Sequence, residues 1–237
     1  MAGSLPRPRC VLTVVLLLGL GTFLVPAVPA LLASDEALER EVHTLLENHA
    51  DTSADAHVLV RLADLYLDLG DSYQEKAKRR AAYEEGARLA QRAAAIDPSN
   101  ADAHYLYAAN LGSATQLKGA MASALTINDL KAHVRQALAL KPNHAPALHM
   151  MGMMLEELPW ILGGDRAGAL TYLQEAVAAD PQYVHARLDL AKLYLKRRNT
   201  EAARRELTTI LKTEGSADDG HQRYRDEARQ LVRSLER

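Results

Sequence analysis

The chain has 237 residues, 48% of them hydrophobic but only 5% aromatic, and a formal charge of −2. That length supports one or two domains with a sizeable core, and the near-neutral balance gives little support for a nucleic-acid partner. A single cysteine, Cys10, excludes a disulfide framework, and the recurrence of alanine and leucine with few strand-forming runs favours an all-α fold.

The first element in chain order is a targeting segment over residues 1–33. Arg7 and Arg9 form a basic lead, residues 10–25 an apolar run, and Pro26, Pro29 and small residues an exit with cleavage sites at Val28-Pro29-Ala30 and Leu31-Leu32-Ala33. These features describe a secretory signal peptide, so a periplasmic or secreted location is expected. The alternative is an uncleaved anchor, because residues 10–34 almost reach across a bilayer. Cys10 opens the apolar run, whereas a lipid-attachment cysteine would follow it. Cleavage would leave 26 basic against 30 acidic residues and no cysteine.

Residues 34–53 hold an N-terminal helix over 34–50, with Ser34 or Asp35 as its cap. From 54 to 212 the chain repeats. Segments 96–112, 140–156 and 179–195 align on Pro98, Pro142 and Pro181. Five residues after each proline stands Ala103, Ala147 or Ala186, and ten after stands Ala108, Gly152 or Ala191. Before the prolines, matching offsets hold Gly86, Ala90 and Ala93; Leu130, Val134 and Ala137; and Ala169, Leu173 and Ala176. Small residues let a helix A approach a helix B closely, apolar residues at offsets of three and four make one stripe, and proline ends helix B. The pattern predicts four hairpins, closed at the far end by a polar capping helix within 213–237.

Two proline intervals exceed the usual 34 residues: 44 from Pro98 to Pro142 and 39 from Pro142 to Pro181. The extra residues of the first three units fall between helices A and B, near 69–82, 112–126 and 157–165, where enlarged loops sharing one edge are expected. The stretch "LPWILGGD" (158–165) is the third of these. Pro159 and Gly163-Gly164 break helix, and Asp165 caps the next one. The Lys-Ser/Thr pair of a phosphate loop is missing. Trp160 either packs into the corner or serves as an anchor for a partner.

The repeat resembles the tetratricopeptide repeat (TPR) over residues 54–212. It implies a right-handed superhelix of antiparallel helical hairpins, an all-α TPR-like solenoid with N- and C-terminal capping helices. The TPR register implies a concave groove containing His57, Asp64, Tyr105, His149, Met153, Glu156, Leu188, His185 and Lys192. Segments 111–134 and 151–177, with the Gln116-Leu117-Lys118-Gly119 string and the Pro159–Asp165 corner, resemble the TRAP-transporter T-component family. That resemblance implies an exported scaffold whose partner is a periplasmic solute-binding protein. A second expectation is a carrier of a small hydrophobic or organic-acid ligand in a pocket lined by the A–B loops. Self-association into a homo-oligomer is compatible with either.

The clustering of insertions on one edge points to Leu117, Met121 and Trp160 as a binding edge. No Gly-x-Ser-x-Gly, His-Glu-x-x-His or comparable catalytic string occurs, so no enzyme and no cofactor are expected. Nine histidines raise a metal site, but His144 and His149 are five apart, and His43 and His49 six apart. Neither pair shares a helical face at i, i+4, so no metal is expected.

Overall fold

A computed structural model describes residues 28–212 and 219–235. The basic lead and apolar run read at 7–25 lie outside the described residues. Within those described, ten α-helices and no strand occur: α1 (Val28–Glu47), α2 (Ala56–Ser72), α3 (Lys76–Ile96), α4 (Ala101–Lys118), α5 (Ala120–Leu140), α6 (Ala145–Glu157), α7 (Arg166–Ala179), α8 (Val184–Lys196), α9 (Thr200–Lys212) and α10 (Asp219–Leu235). No helix among them is long and apolar enough to cross a membrane. Helices α2 to α9 pack as four consecutive antiparallel pairs. The end helix α1 covers α2, α10 covers α8 and α9, and the two end helices also touch each other. The fold is an all-α, TPR-like solenoid.

One turn, used three times, joins the pairs. The backbone N–H groups of Asn100, His144 and Tyr183 donate to the carbonyls of Asp97, Lys141 and Asp180, 3.0–3.1 Å away. The prolines lack the N–H that would continue the helix and disfavour helical backbone at the residue before them, so each helix B ends two residues ahead of its proline, at Ile96, Leu140 and Ala179. Asn100 Oδ1 then caps α4 by accepting from Ala103 N at 3.0 Å, and Asp55 caps α2 through His57 N at 2.8 Å. His144 does the same for α6 with a ring nitrogen, Nδ1, which accepts from Ala147 N. The expected caps of α1, Ser34 and Asp35, instead lie inside that helix.

The small residues sit at the helix seams. Ala63, Ala108 and Ala191 are fully buried, as are Ala103, Ala147 and Ala186. A Cβ on Gly152 would stand 2.9 Å from Leu173 Cγ, and one on Gly86 would stand 2.3 Å from Asn110 Oδ1. The seams are therefore tight enough that one added carbon forces a shift. Between the seams lie the aliphatic stripes, including Leu130, Val134 and Ala137, and, in the last pair, Ala203, Leu207 and Ile210.

The enlarged loops expected at 69–82 and 112–126 are not loops. Their extra residues lengthen helices: α3 and α5 have 21 residues each, against 13 for α8 and α9. The connections shrink to residues 73–75 and to Gly119 alone. Residues 69–82 are rich in Ala, Lys and Arg, and residues 112–126 in Ala with Leu and Met, all of which favour helix by a few tenths of a kcal/mol each. Only the third connection keeps its extra residues out of the flanking helices, with a single 3-10 turn over Trp160–Leu162.

Candidate functional site

Helices α6 and α8 are the A helices of adjacent pairs and face the groove together. His185 and Asp189 are one turn apart on α8, and Lys192 follows three residues later, so all three share a face. From α6, His149 Nε2 lies 2.9 Å from Asp189 Oδ2. His185 Nε2 lies 3.3 Å from that same oxygen. Lys192 Nζ reaches Asp189 Oδ1 at 3.4 Å and, on α10, Glu227 Oε1 at 2.9 Å. Tyr183 Oη stands 3.3 Å from His149 Nδ1, and the Tyr224 ring stacks on His185 with centroids 4.5 Å apart.

The environment sets the charges in this cluster. Burial and the adjacent His149 push His185 down to about 4, so the ring is neutral near pH 7. Burial raises Asp189, but the hydrogen bond from His149 and the nearby His185 and Lys192 outweigh it and hold the carboxyl below its usual range. Burial alone would lower Lys192; the Glu227 and Asp189 carboxylates reverse that and raise it.

The other groove residues named above do not join this cluster. Glu156 is buried and paired with Lys196 at 2.6 Å, with Arg197 at 3.6 Å. Met153 packs against Leu173, Leu190 and Leu193 in the core, and Leu188 is fully buried rather than facing the groove. In the first half of the solenoid, burial raises the Asp64 carboxyl against the pull of Arg61, 3.5 Å away. Tyr105 stands 5.1 Å from the His144 ring, and burial raises its hydroxyl well above its usual value. His57 is exposed at the start of α2. His144 itself is structural, because its Nε2 holds Asp102 of α4 at 2.8 Å while Nδ1 caps α6.

Sequence spacing could not find the His149–Asp189 pair. The partners are 40 residues apart, and Asp189 falls one place off the register used to assign the groove. The i, i+4 spacing of His185 and Asp189 was the one local signal.

At the other edge, Trp160 does not pack inward. It is 84% exposed, with Ile161 beside it at 69%. The turn carrying them is held from behind: Lys131 Nζ of α5 donates to the carbonyls of Leu162 at 2.7 Å and Gly163 at 3.0 Å. Gly164 N donates to Pro159 O, and Asp165 N to Leu155 O. Asp165 Oδ1 caps α7 through Ala167 N. Gly163 has φ +78°, and a Cβ on Gly164 would collide with Leu158 O at 1.9 Å, so both glycines are required for this corner. Leu117 and Met121 lie on helices flanking Gly119, not in a loop. Leu117 is half-buried, whereas Met121 is 77% exposed and Leu125, which the sequence reading missed, 79%. Lys131 thus ties the second B helix to the third corner.

Residues 25–158 match the model of the family described as Regulator of microtubule dynamics protein 1-3, and residues 161–222 match a tetratricopeptide-repeat model. The chain is similar to Regulator of microtubule dynamics protein 1 of Bos taurus, with 28% identity over 213 residues, 82% of this chain and 66% of that protein. The protein of the same name from Pongo abelii is 28% identical over 181 residues, 69% of this chain and 57% of its own length. The chain therefore spans less than two thirds of the length of these relatives. A thermophilic TPR protein of Thermus thermophilus shares its fold at a TM-score of 0.58 and 20% identity, over 85% of this chain and 92% of that one. The T-component resemblance gains no support from these matches, and its segment 111–134 lies inside the first matched region. Long hairpins in the first half, a third unit with an inserted corner and one unit of standard length thus sit in one chain, and that chain belongs to the family of regulators of microtubule dynamics 1–3.

Proposed function

We propose that this chain is a non-enzymatic scaffold that docks a protein partner through the edge formed by its second and third A–B connections. In keeping with the name of its relatives, its role is the control of microtubule dynamics. The observation that carries this reading is the exposed Trp160 on a corner braced by Lys131. A large aromatic with few rotatable bonds on a fixed backbone loses little entropy on binding, which is why such residues are enriched among those that dominate interface energies. Met121 and Leu125 on α5 add adaptable apolar surface.

The test is tubulin assembly, followed by turbidity, together with co-sedimentation on preformed microtubules. Trp160→Ala should lose the effect, whereas Tyr105→Ala and His149→Ala should keep it. If the groove variants lose activity and Trp160→Ala keeps it, the concave face is the docking site. If the wild type affects neither assay, the microtubule reading fails.

Export through residues 1–33 is a separate proposal, because a cleaved and exported chain would not meet tubulin, whereas an uncleaved anchor is compatible with a microtubule partner; mass spectrometry of the native protein decides between them. A start near Leu31 or Ser34 means cleavage, and an intact Met1 on a membrane-bound chain means an anchor. A solute-binding protein as partner rests on the T-component resemblance alone. The carrier reading needs a pocket lined by the A–B connections. The cavity of about 420 Å³ at α1 is lined by Glu36, Glu39, Arg40 and His43, so it does not supply one.

A further inference from the structure

We infer that His149, His185 and Asp189 form a binding site for a first-row divalent cation of the zinc type, set in the groove between α6 and α8. One ligand atom from each residue lies within 4.8 Å of the other two. A tetrahedral zinc with Zn–N and Zn–O bonds of about 2.0–2.2 Å holds its ligand atoms roughly 3.3 Å apart. The two distances to Asp189 Oδ2, 2.9 and 3.3 Å, already match that spacing. Only the histidine nitrogens need adjust to one another, and His185, with 40% of its side chain exposed, can do so by sliding along the Tyr224 ring stacked on it.

The surroundings also suit a cation. Tyr183 engages His149 Nδ1 and leaves Nε2 facing the carboxylate, which is how outer partners orient a ligating imidazole. Lys192 is the group that opposes a metal, since its ammonium stands 3.4 Å from Asp189 Oδ1. It is held more closely by Glu227, at 2.9 Å. Arg223, packed over the Tyr224 ring, is the second cation near His185, so the Asp189 and Glu227 carboxylates balance two cations and the site is not repulsive to a metal ion as a whole. Two imidazoles and one carboxylate are borderline donors that suit zinc, cobalt or nickel better than calcium or magnesium. Three protein ligands leave a coordination position for water or for a side chain of a docked partner.

The test uses the described protein after dialysis against a chelator. Zinc is titrated by calorimetry and cobalt by visible absorption, which reports tetrahedral coordination. The wild type should bind stoichiometrically, show the tetrahedral cobalt bands and melt at a higher temperature with zinc present. His185→Ala and Asp189→Asn should each weaken binding at least about tenfold and abolish the bands. Lys192→Met, which removes the competing ammonium, should tighten binding. His43→Ala and His57→Ala, at exposed positions elsewhere, should change nothing. His185→Ala is the decisive variant, because its half-exposed ring can be lost without emptying the core, and circular dichroism checks its fold. Absence of zinc binding in the wild type, or binding unchanged in both His185→Ala and Asp189→Asn, overturns the site and leaves a hydrogen-bonded structural cluster.

Discussion

The second and third A–B connections received extra residues in the same place and used them differently. Around Gly119 the chain spends them on helix, so α4 and α5 run long and meet at one residue with φ +114°. At 158–165 Pro159 and the two glycines forbid that, and the surplus becomes a fixed corner displaying Trp160. An insertion in a helical repeat therefore lengthens the hairpin by default. It becomes a surface feature only where residues that cannot be helical compel it.

The largest expected effect tests what both kinds of hairpin share. Gly152→Leu, whose first carbon already meets Leu173 at 2.9 Å, should cost about 3 kcal/mol or more, and Ala191→Leu about 1–3 kcal/mol. Thermal denaturation measures both, and unchanged melting temperatures would mean that the seams lie elsewhere. Next, the two corners can be compared directly. Gly164→Ala should cost about 2 kcal/mol because its Cβ meets the Leu158 carbonyl. At Gly119 nothing lies within 4 Å of an added Cβ, so Gly119→Ala should cost about 1–3 kcal/mol through backbone strain alone.

Acid tests the groove between α6 and α8. His185 binds its proton at about 4 in the folded chain against an ordinary 6.5. The unfolded chain therefore takes up the proton first, and stability falls as pH drops from about 6.5 toward 4. Asp189, held below its ordinary range, adds stability above about 3.8 that is lost as pH falls through its folded value. In urea titrations across this range His185→Gln should flatten the dependence, and an unchanged slope would remove His185 as its source. The smallest stability effect belongs to Trp160→Ala, within about 0.5 kcal/mol because the ring is exposed. A large loss of stability there would show that the corner needs the ring for packing.

The periodic part of this molecule was legible in the sequence because a seam admits only small residues. Ala103, Ala108, Ala147, Ala186 and Ala191 mark it and are all fully buried. Length variation was legible as a number of residues but not as a shape. Whether residues 112–126 form loop or helix depends on whether α4 and α5 can bury the added turns against each other, a tertiary outcome. The groove was legible only position by position. Tyr105 and His149 came from the register, whereas Asp189, which joins His149 to His185 and Lys192, came from none. Its pairing with His149 is set by the pitch between two helices of adjacent repeats.

His144 serves two repeats with one ring. Its Nδ1 starts α6 and its Nε2, the protonated nitrogen in this arrangement, holds Asp102 near the start of α4. In a nearest-neighbour description of a repeat array, each unit has an intrinsic free energy and each junction a coupling energy. Most side chains contribute to one or the other, and His144 contributes to both. An Asn at this position, as Asn100 is in the preceding turn, would keep the cap and drop the link. Residues 28–140 and 145–235 would then melt with less cooperativity, although each helix would begin as well as before.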